Sequence, residues 1–377
     1  MPLLAEGQII RDTYEVERFL GEGAFAEVWR VRHRFLGRQA MKVFKQGGST
    51  RDEIEDLLGE AIMLSRIGHP NIVRVFDANI LECDDGAHGY FTMENVPSGS
   101  LNDYRRSQGS HTLPVAVTVD IVKQVCRGLA VAHSQTPPVI HRDIKPANIL
   151  VGHERDGLRA RLGDFGLAKR VNPLTLLATT AGTPAFKPPE VFGGGADGAF
   201  KSDSAAGDTW ALGATLYLLL TDQLPFRPAS DTDWYSNAHF KQKRTPAADI
   251  NPDVSAPLND IIEKALAFAP NKRFRDAAEL LAALEDMPNR ERERAAKVRA
   301  ERERGGRERT TTATSGAVAS GGTGGNAQKM LRDAIALKDD GHLQAAADLL
   351  EKAIRQFPVL REKHAVRVKL WRNGISM

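Results

Sequence analysis

The stretch from His141 to Leu150, HRDIKPANIL, places a carboxylate (Asp143), a cation (Lys145) and an amide (Asn148) in one short loop. An apolar run, Ile149 to Val151, follows and reads as a short strand that holds the loop against a core. A polar surface turn with accidental spacing is the plain alternative. It weakens as further motifs accumulate in a fixed order along the chain.

Upstream lies GEGAFAEV, Gly21 to Val28, between the segments YEVERFL and EVWRVRH. Both segments alternate apolar and polar residues, which predicts two strands joined by a glycine-rich loop. Glycines let a backbone approach a ligand with no side chain between them. AMKVF, Ala40 to Phe44, reads as the next strand, with Lys42 between the apolar Met41 and Val43. A lone strand lysine is ordinarily a solvated edge residue. Glu60 opens the helical segment EAIMLSRIG, beside an apolar stripe of Ile62, Leu64 and Ile67; Glu53 and Glu55 are its rivals. Downstream come LGDFGLA (Leu162 to Ala168), a threonine-rich loop, GTPAFKPPE (Gly182 to Glu190) and DTWALG, which contains Asp208. The apolar stretch from Trp210 to Leu220 predicts a buried helix. It is too short to span a bilayer, which takes roughly 20 residues.

Taken in order, these motifs resemble the eukaryotic-type (Hanks-type) serine/threonine protein kinases, and the bacterial members in particular. The resemblance covers about residues 8 to 287. It implies a bilobal α+β fold, with a strand-rich lobe through about Asn95 and a mostly helical lobe from Leu101. It implies transfer of the ATP γ-phosphate to protein hydroxyls, with Mg2+ (or Mn2+) as the metal. Asp143 is then the residue that orients the attacking hydroxyl, Lys145 the cation near the transferred phosphate, and Asn148 and Asp164 the metal ligands. Lys42 pairs the α- and β-phosphates and is itself paired by Glu60. Tyrosine kinases carry a different residue where this chain has Lys145.

The same resemblance implies an ATP pocket built from Gly21, Gly23, Val28, Ala40, Lys42 and Leu150. Met93 guards its back, and the backbone of Glu94 and Val96 bonds adenine. Ala26 replaces the usual third glycine of the loop. Phe165 packs under the helix that carries Glu60, and Thr183 bonds toward the catalytic loop. Asp208 holds that loop from below. Glu190 pairs with Arg273, although Ala269 stands where an aspartate is usual. Arg142 receives a phosphate from the activation loop, for which Thr179 and Thr180 are the first candidates and Thr175 the third.

Composition agrees with a globular enzyme. The chain has 377 residues, 42% hydrophobic and 26% charged, with a net charge of only +3. That is ample for a large core, and it gives no bulk attraction to nucleic acid. Cys83 and Cys126 have no metal-type spacing and read as reduced thiols. No signal peptide or membrane span is visible, which points to a cytoplasmic protein.

Residues 288–326 change character. NRERERAAKVRAERERGGRER mixes nine basic with five acidic residues and predicts either a solvated helix or a disordered tether. TTTATSGAVASGGTGGN then reads as a flexible linker. From residue 327 to the end, helical patterning returns. Ala334, Ala346, Ala353, Gly341 and Pro358 fall at offsets that resemble one tetratricopeptide repeat, so the expected module is a small all-α hairpin, with VLREKHAVRVKLW as a third, capping helix. One repeat rarely stabilises itself, which implies a protein partner or self-association. The sequence therefore predicts a serine/threonine kinase with protein substrates. The alternative is a binding-only pseudokinase, or an adaptor that acts through the helical module.

Overall fold

The computed structural model describes residues 2–23, 26–45, 52, 54–55, 58–59, 65, 67–83, 86–109, 112–155, 157–165, 184–192, 204–228, 237–311, 330–335, 337–338, 342–357, 364, 368–369 and 371–372. The chain forms two compact units, Met1–Val298 and Arg299–Met377.

The first unit begins with a six-stranded antiparallel sheet, in the order β1-β2-β3-β4-β6-β5. Its strands are β1 (Ile9–Ile10), β2 (Tyr14–Glu22), β3 (Ala26–His33), β4 (Gly37–Phe44), β5 (Val75–Cys83) and β6 (Gly86–Glu94). Period-two alternation gives this sheet two buried faces. Trp29, Val31, Met41 and Val43 pack into a small core on one face with Tyr14, Val16 and Tyr90. Ala26, Ala40, Phe44, Phe91 and Met93 belong to the other face, which is continuous with the main core of the molecule. A one-residue slip of β4 would exchange the two sets, so the pattern holds Lys42 on the Ala40 side.

The remainder of this unit is helical. Its longer helices are α1 (Leu101–Ser107), α2 (Val115–His133), α3 (Ala205–Thr221), α4 (Ala256–Ala265) and α5 (Ala277–Thr311), the last belonging to this unit as far as Val298. Helix α1 starts with a capping box: Ser100 accepts the Asp103 N–H, and Asp103 accepts the Ser100 N–H. Helix α3 is buried at nearly every position and is capped by Ser204 and by a left-handed Asp222. It is a central helix of the lobe, as an all-round apolar pattern requires. Two glycines allow close packing. A Cβ on Gly213 would lie 2.7 Å from the Ala265 Cβ of α4, and one on Gly128 of α2 would lie 2.8 Å from the Asn71 carbonyl oxygen. A hairpin of β7 (Ile149–Glu154) and β8 (Gly157–Leu162) lies between α2 and α3 in sequence. Leu162 bridges Ile72, joining this hairpin to the chain just before β5.

Of the two readings for residues 288–311, the structure has the helix, because α5 runs on to Thr311 with Pro288 inside it. Arginine, glutamate and alanine are good helix formers, and Arg290 pairs with Asp286 one turn back at 2.9 Å. In the second unit, Ala334, Ala346, Ala347, Leu350, Val368 and Trp371 form a separate cluster around α6 (Leu343–Gln356). Gly341 and Pro358 lie outside the described residues.

Candidate active site

The HRDIKPANIL stretch is a loop ending in a short 3-10 turn, Pro146–Asn148, which runs directly into β7. Ile144 and Ile149 are fully buried and pin the loop at both ends. Asp143 Oδ2 meets Lys145 Nζ at 2.9 Å. The Asn148 side-chain amide donates to Asp143 Oδ2 at 3.0 Å and to the Asp143 carbonyl at 2.7 Å. The three chemistry-bearing residues of the loop therefore converge on one carboxylate.

Two buried histidines and one buried acid lie beneath this loop. Asp208, on α3, accepts the backbone N–H groups of His141 and Arg142, each at 2.8 Å, and contacts His133 Nε2 at 3.0 Å. His141 Nε2 contacts the Gly163 carbonyl at 2.8 Å, and its Nδ1 accepts the Asp143 N–H at 3.2 Å. Those partners fix the neutral tautomer with the proton on Nε2. Burial, first of all, pushes the His141 pKa down, and the nearby Asp208 only partly opposes it. Arg142 and Asp164 are both left-handed, with φ of 68° and 55°. Non-glycine residues adopt that conformation only where their surroundings impose it, and such sites cluster at functional centres.

Asp164 follows Gly163, whose N–H donates to the Asn148 carbonyl at 2.9 Å. Lys42 Nζ reaches Asp164 Oδ1 at 2.7 Å, with the lysine nearly buried and the carboxylate about one third exposed. Val28 is the cross-strand partner of Lys42, and Ala40 that of Met93, so all four lie on the face toward the second lobe. Ala26, the position of the missing third glycine, is buried on that face as well. Gly21 pairs with Val28, and the Gly23 N–H bonds the Ala26 carbonyl at 2.8 Å. Leu150 packs against the main core, and Val96 lies against Gly152 of the same strand. Phe165 is 2% exposed and stacks near His141, with ring centroids 4.5 Å apart. Glu60, Thr175, Thr179, Thr180 and Thr183 lie outside the described residues.

A family model described as the protein kinase domain matches residues 14–283. The chain belongs to the protein kinase family. It is 32% identical to a probable serine/threonine-protein kinase of Clostridium perfringens, over 74% of this chain and 39% of that one. It is 31% identical to the serine/threonine-protein kinase PknB of Mycobacterium tuberculosis, over 78% of this chain and 46% of that one. The chain thus spans less than half the length of these curated relatives. Among solved structures, the kinase domain of Mycobacterium tuberculosis PknI is similar at a TM-score of 0.56 and 27% identity, covering 76% of this chain and 99% of that one.

Within this kinase domain, Arg273 and Glu190 form a bidentate pair with both N–O distances at 2.7 Å. Arg273 also donates to the carbonyls of Ala267 and Phe268, and it lies 4.8 Å over the Trp210 ring. These contacts close the corner where Ala269 replaces the usual aspartate. At the end of β6, the Glu94 N–H donates to the Arg74 carbonyl at 2.9 Å, and its carboxylate pairs with Arg161 of β8 at 3.0 Å.

Sequence reasoning missed Lys187. Its Nζ donates to the Arg142 carbonyl at 2.6 Å and lies 3.5 Å from Asp143 Oδ1. A lysine set between Phe186 and Pro188 was the available signal, but nothing local names its partners. Burial pushes the Asp143 carboxyl up. The charges of Lys187 and Lys145, the Lys145 hydrogen bond and His141 outweigh burial and hold it at about 2. The group is therefore ionised throughout the physiological range.

Proposed function

We propose that this chain transfers the γ-phosphate of ATP to serine or threonine hydroxyls on proteins. The observation that carries this reading is the convergence of Lys145, Asn148 and Lys187 on an ionised Asp143, beside the Lys42–Asp164 pair. Asp143 Oδ2 is committed to Lys145 and Asn148, whereas Oδ1 makes a longer, 3.5 Å contact to Lys187 and keeps a lone pair to accept the hydrogen bond of an incoming hydroxyl. That contact orients the hydroxyl oxygen toward the phosphate. Lys145 stands where negative charge develops on the transferred group, and such preorganised charge carries most of catalysis in this reaction class. Lysine at position 145, together with the names of the relatives, favours serine and threonine over tyrosine as acceptors.

The residues fit a divalent cation. The Asn148 NH2 group is spent on Asp143, which turns its amide oxygen into the available ligand, and Asp164 supplies a carboxylate. Two hard oxygens plus phosphate oxygens suit magnesium, which needs few protein ligands. When bound, the metal neutralises charge on the β- and γ-phosphates. Lys42, now on Asp164, would pair the α- and β-phosphates from the Ala40 face of the sheet.

The test is phosphate transfer by the purified protein to a generic protein substrate, with D143N and K42M as controls. Both variants are expected to stay folded and to lose about 100-fold or more in turnover. Near-normal turnover by D143N would overturn the catalytic assignment. No nucleotide binding by the wild type would favour the pseudokinase alternative.

The proposed organisation is a kinase domain at 8–287, a charged and Gly/Ser/Thr-rich linker at 288–326, and a tetratricopeptide-like module at 327–377 that binds a protein partner. Complete burial of Ala334, Ala346 and Ala353 supports the module, since small residues let two helices approach closely. Asp333, where such a repeat prefers an apolar residue, is exposed. Val368 and Trp371 bury themselves in the same cluster, which supports the capping helix. No described helix is long and apolar enough to cross a membrane.

A further inference from the structure

Lys187 is only 8% exposed, and its neighbours Phe186 and Pro188 offer its charge nothing. A buried ammonium is retained only where partners compensate for its lost hydration. Its partners are the Arg142 carbonyl at 2.6 Å and the Asp143 carboxylate at 3.5 Å. Arg142 is the left-handed residue that precedes Asp143. Its N–H is held by Asp208 from the helical core, and its carbonyl is held by Lys187 from the other side. The strained residue is thus fixed at both ends. Three residues beyond Lys187, Glu190 is locked by Arg273. A continuous chain of contacts therefore joins the Glu190–Arg273 corner to the catalytic carboxylate.

We propose that Lys187 is a positioning residue for phosphoryl transfer: it clamps the Arg142–Asp143 step and orients the Asp143 carboxylate from the 184–190 segment, so that the catalytic loop is competent only while that segment is seated. The proposal rests on reading Asp143 as the group that orients the acceptor hydroxyl. Among the described residues, the charged and titratable groups facing Asp143 are Lys145 and His141 in the same loop and Lys187. Asp164 and Asp208 lie beside His141. Of these, Lys187 is the one cation contributed by the segment after residue 183.

The test uses the full chain with K187M, K187R, K187Q and D143N. It measures melting temperature, KM for ATP, and kcat on dephosphorylated casein. K187M is expected to lose about 10-fold or more in kcat while KM for ATP stays within about twofold. K187R should recover part of kcat. If K187M fails to fold, K187Q carries the test alone. It keeps a donor for the Arg142 carbonyl and lacks the charge, so a fall of about 10-fold or more in kcat with KM for ATP within about twofold supports the proposal, and an unchanged kcat overturns it. An active wild type with an inactive D143N and an unaffected K187M overturns the Lys187 proposal alone. A wild type that transfers no phosphate, or a D143N that turns over normally, overturns the underlying reading and the proposal with it.

Discussion

Asp208 Oδ1 accepts the backbone N–H of Arg142 at 2.8 Å, tying a strained residue of the His141–Leu150 loop to the central helix of the lobe. The acid is 1% exposed, and its other oxygen serves His141 and His133. Removing it strands three buried donors at once. Each such loss costs about 1–3 kcal/mol. Asp208→Ala should therefore lose at least about 3 kcal/mol by urea unfolding, and most of its turnover. Asp208→Asn should fall between the two, because its NH2 group faces donors. A D208A protein matching the wild type in both measurements would remove Asp208 from any supporting role.

Arg273→Lys keeps the charge at the Glu190 corner and loses the bidentate fork, the Trp210 contact and the carbonyl bonds. The expected cost is about 1–3 kcal/mol of stability. Hydrogen exchange should also speed up over residues 184–191. Unchanged exchange there would mean that the corner does not hold the segment.

Active enzyme should carry phosphate on Thr179, Thr180 or Thr175. Added phosphate charge near Arg142 orders a loop through charge-assisted hydrogen bonds. Intact mass and peptide mapping check this. Full activity in enzyme unphosphorylated at all three positions would sink the switch.

Trp371 is 2% exposed within the cluster of the second unit. Trp371→Ala should cost that cluster about 3–5 kcal/mol and strip exchange protection from Leu343–Gln356. Turnover on a generic substrate should stay within about twofold. A large fall would mean that the module acts on the kinase domain itself rather than on a partner.

Much of the fold was legible because its signals are local. The alternation in YEVERFL and EVWRVRH marks two strands, the apolar neighbours of Lys42 in AMKVF mark the next, and the apolar run from Trp210 to Leu220 marks a buried helix. Asp143, Lys145 and Asn148 sit in one short loop, so their convergence follows from a single turn of chain. The helical course of 288–311 was left open, because charged residues of high helix propensity read equally as tether.

The sequence by itself determined the main strands and helices and gathered Asp143, Lys145 and Asn148 into one loop, since these depend on periodicity and on neighbours a few positions apart. Only the tertiary structure decided that Lys42 lies on Asp164, that Arg142 is strained between Asp208 and Lys187, and that Lys187 reaches Asp143. Those contacts join residues far apart in the chain. Their strength comes from shared burial, where a charge or donor must be matched by whatever partner the packed fold brings to it.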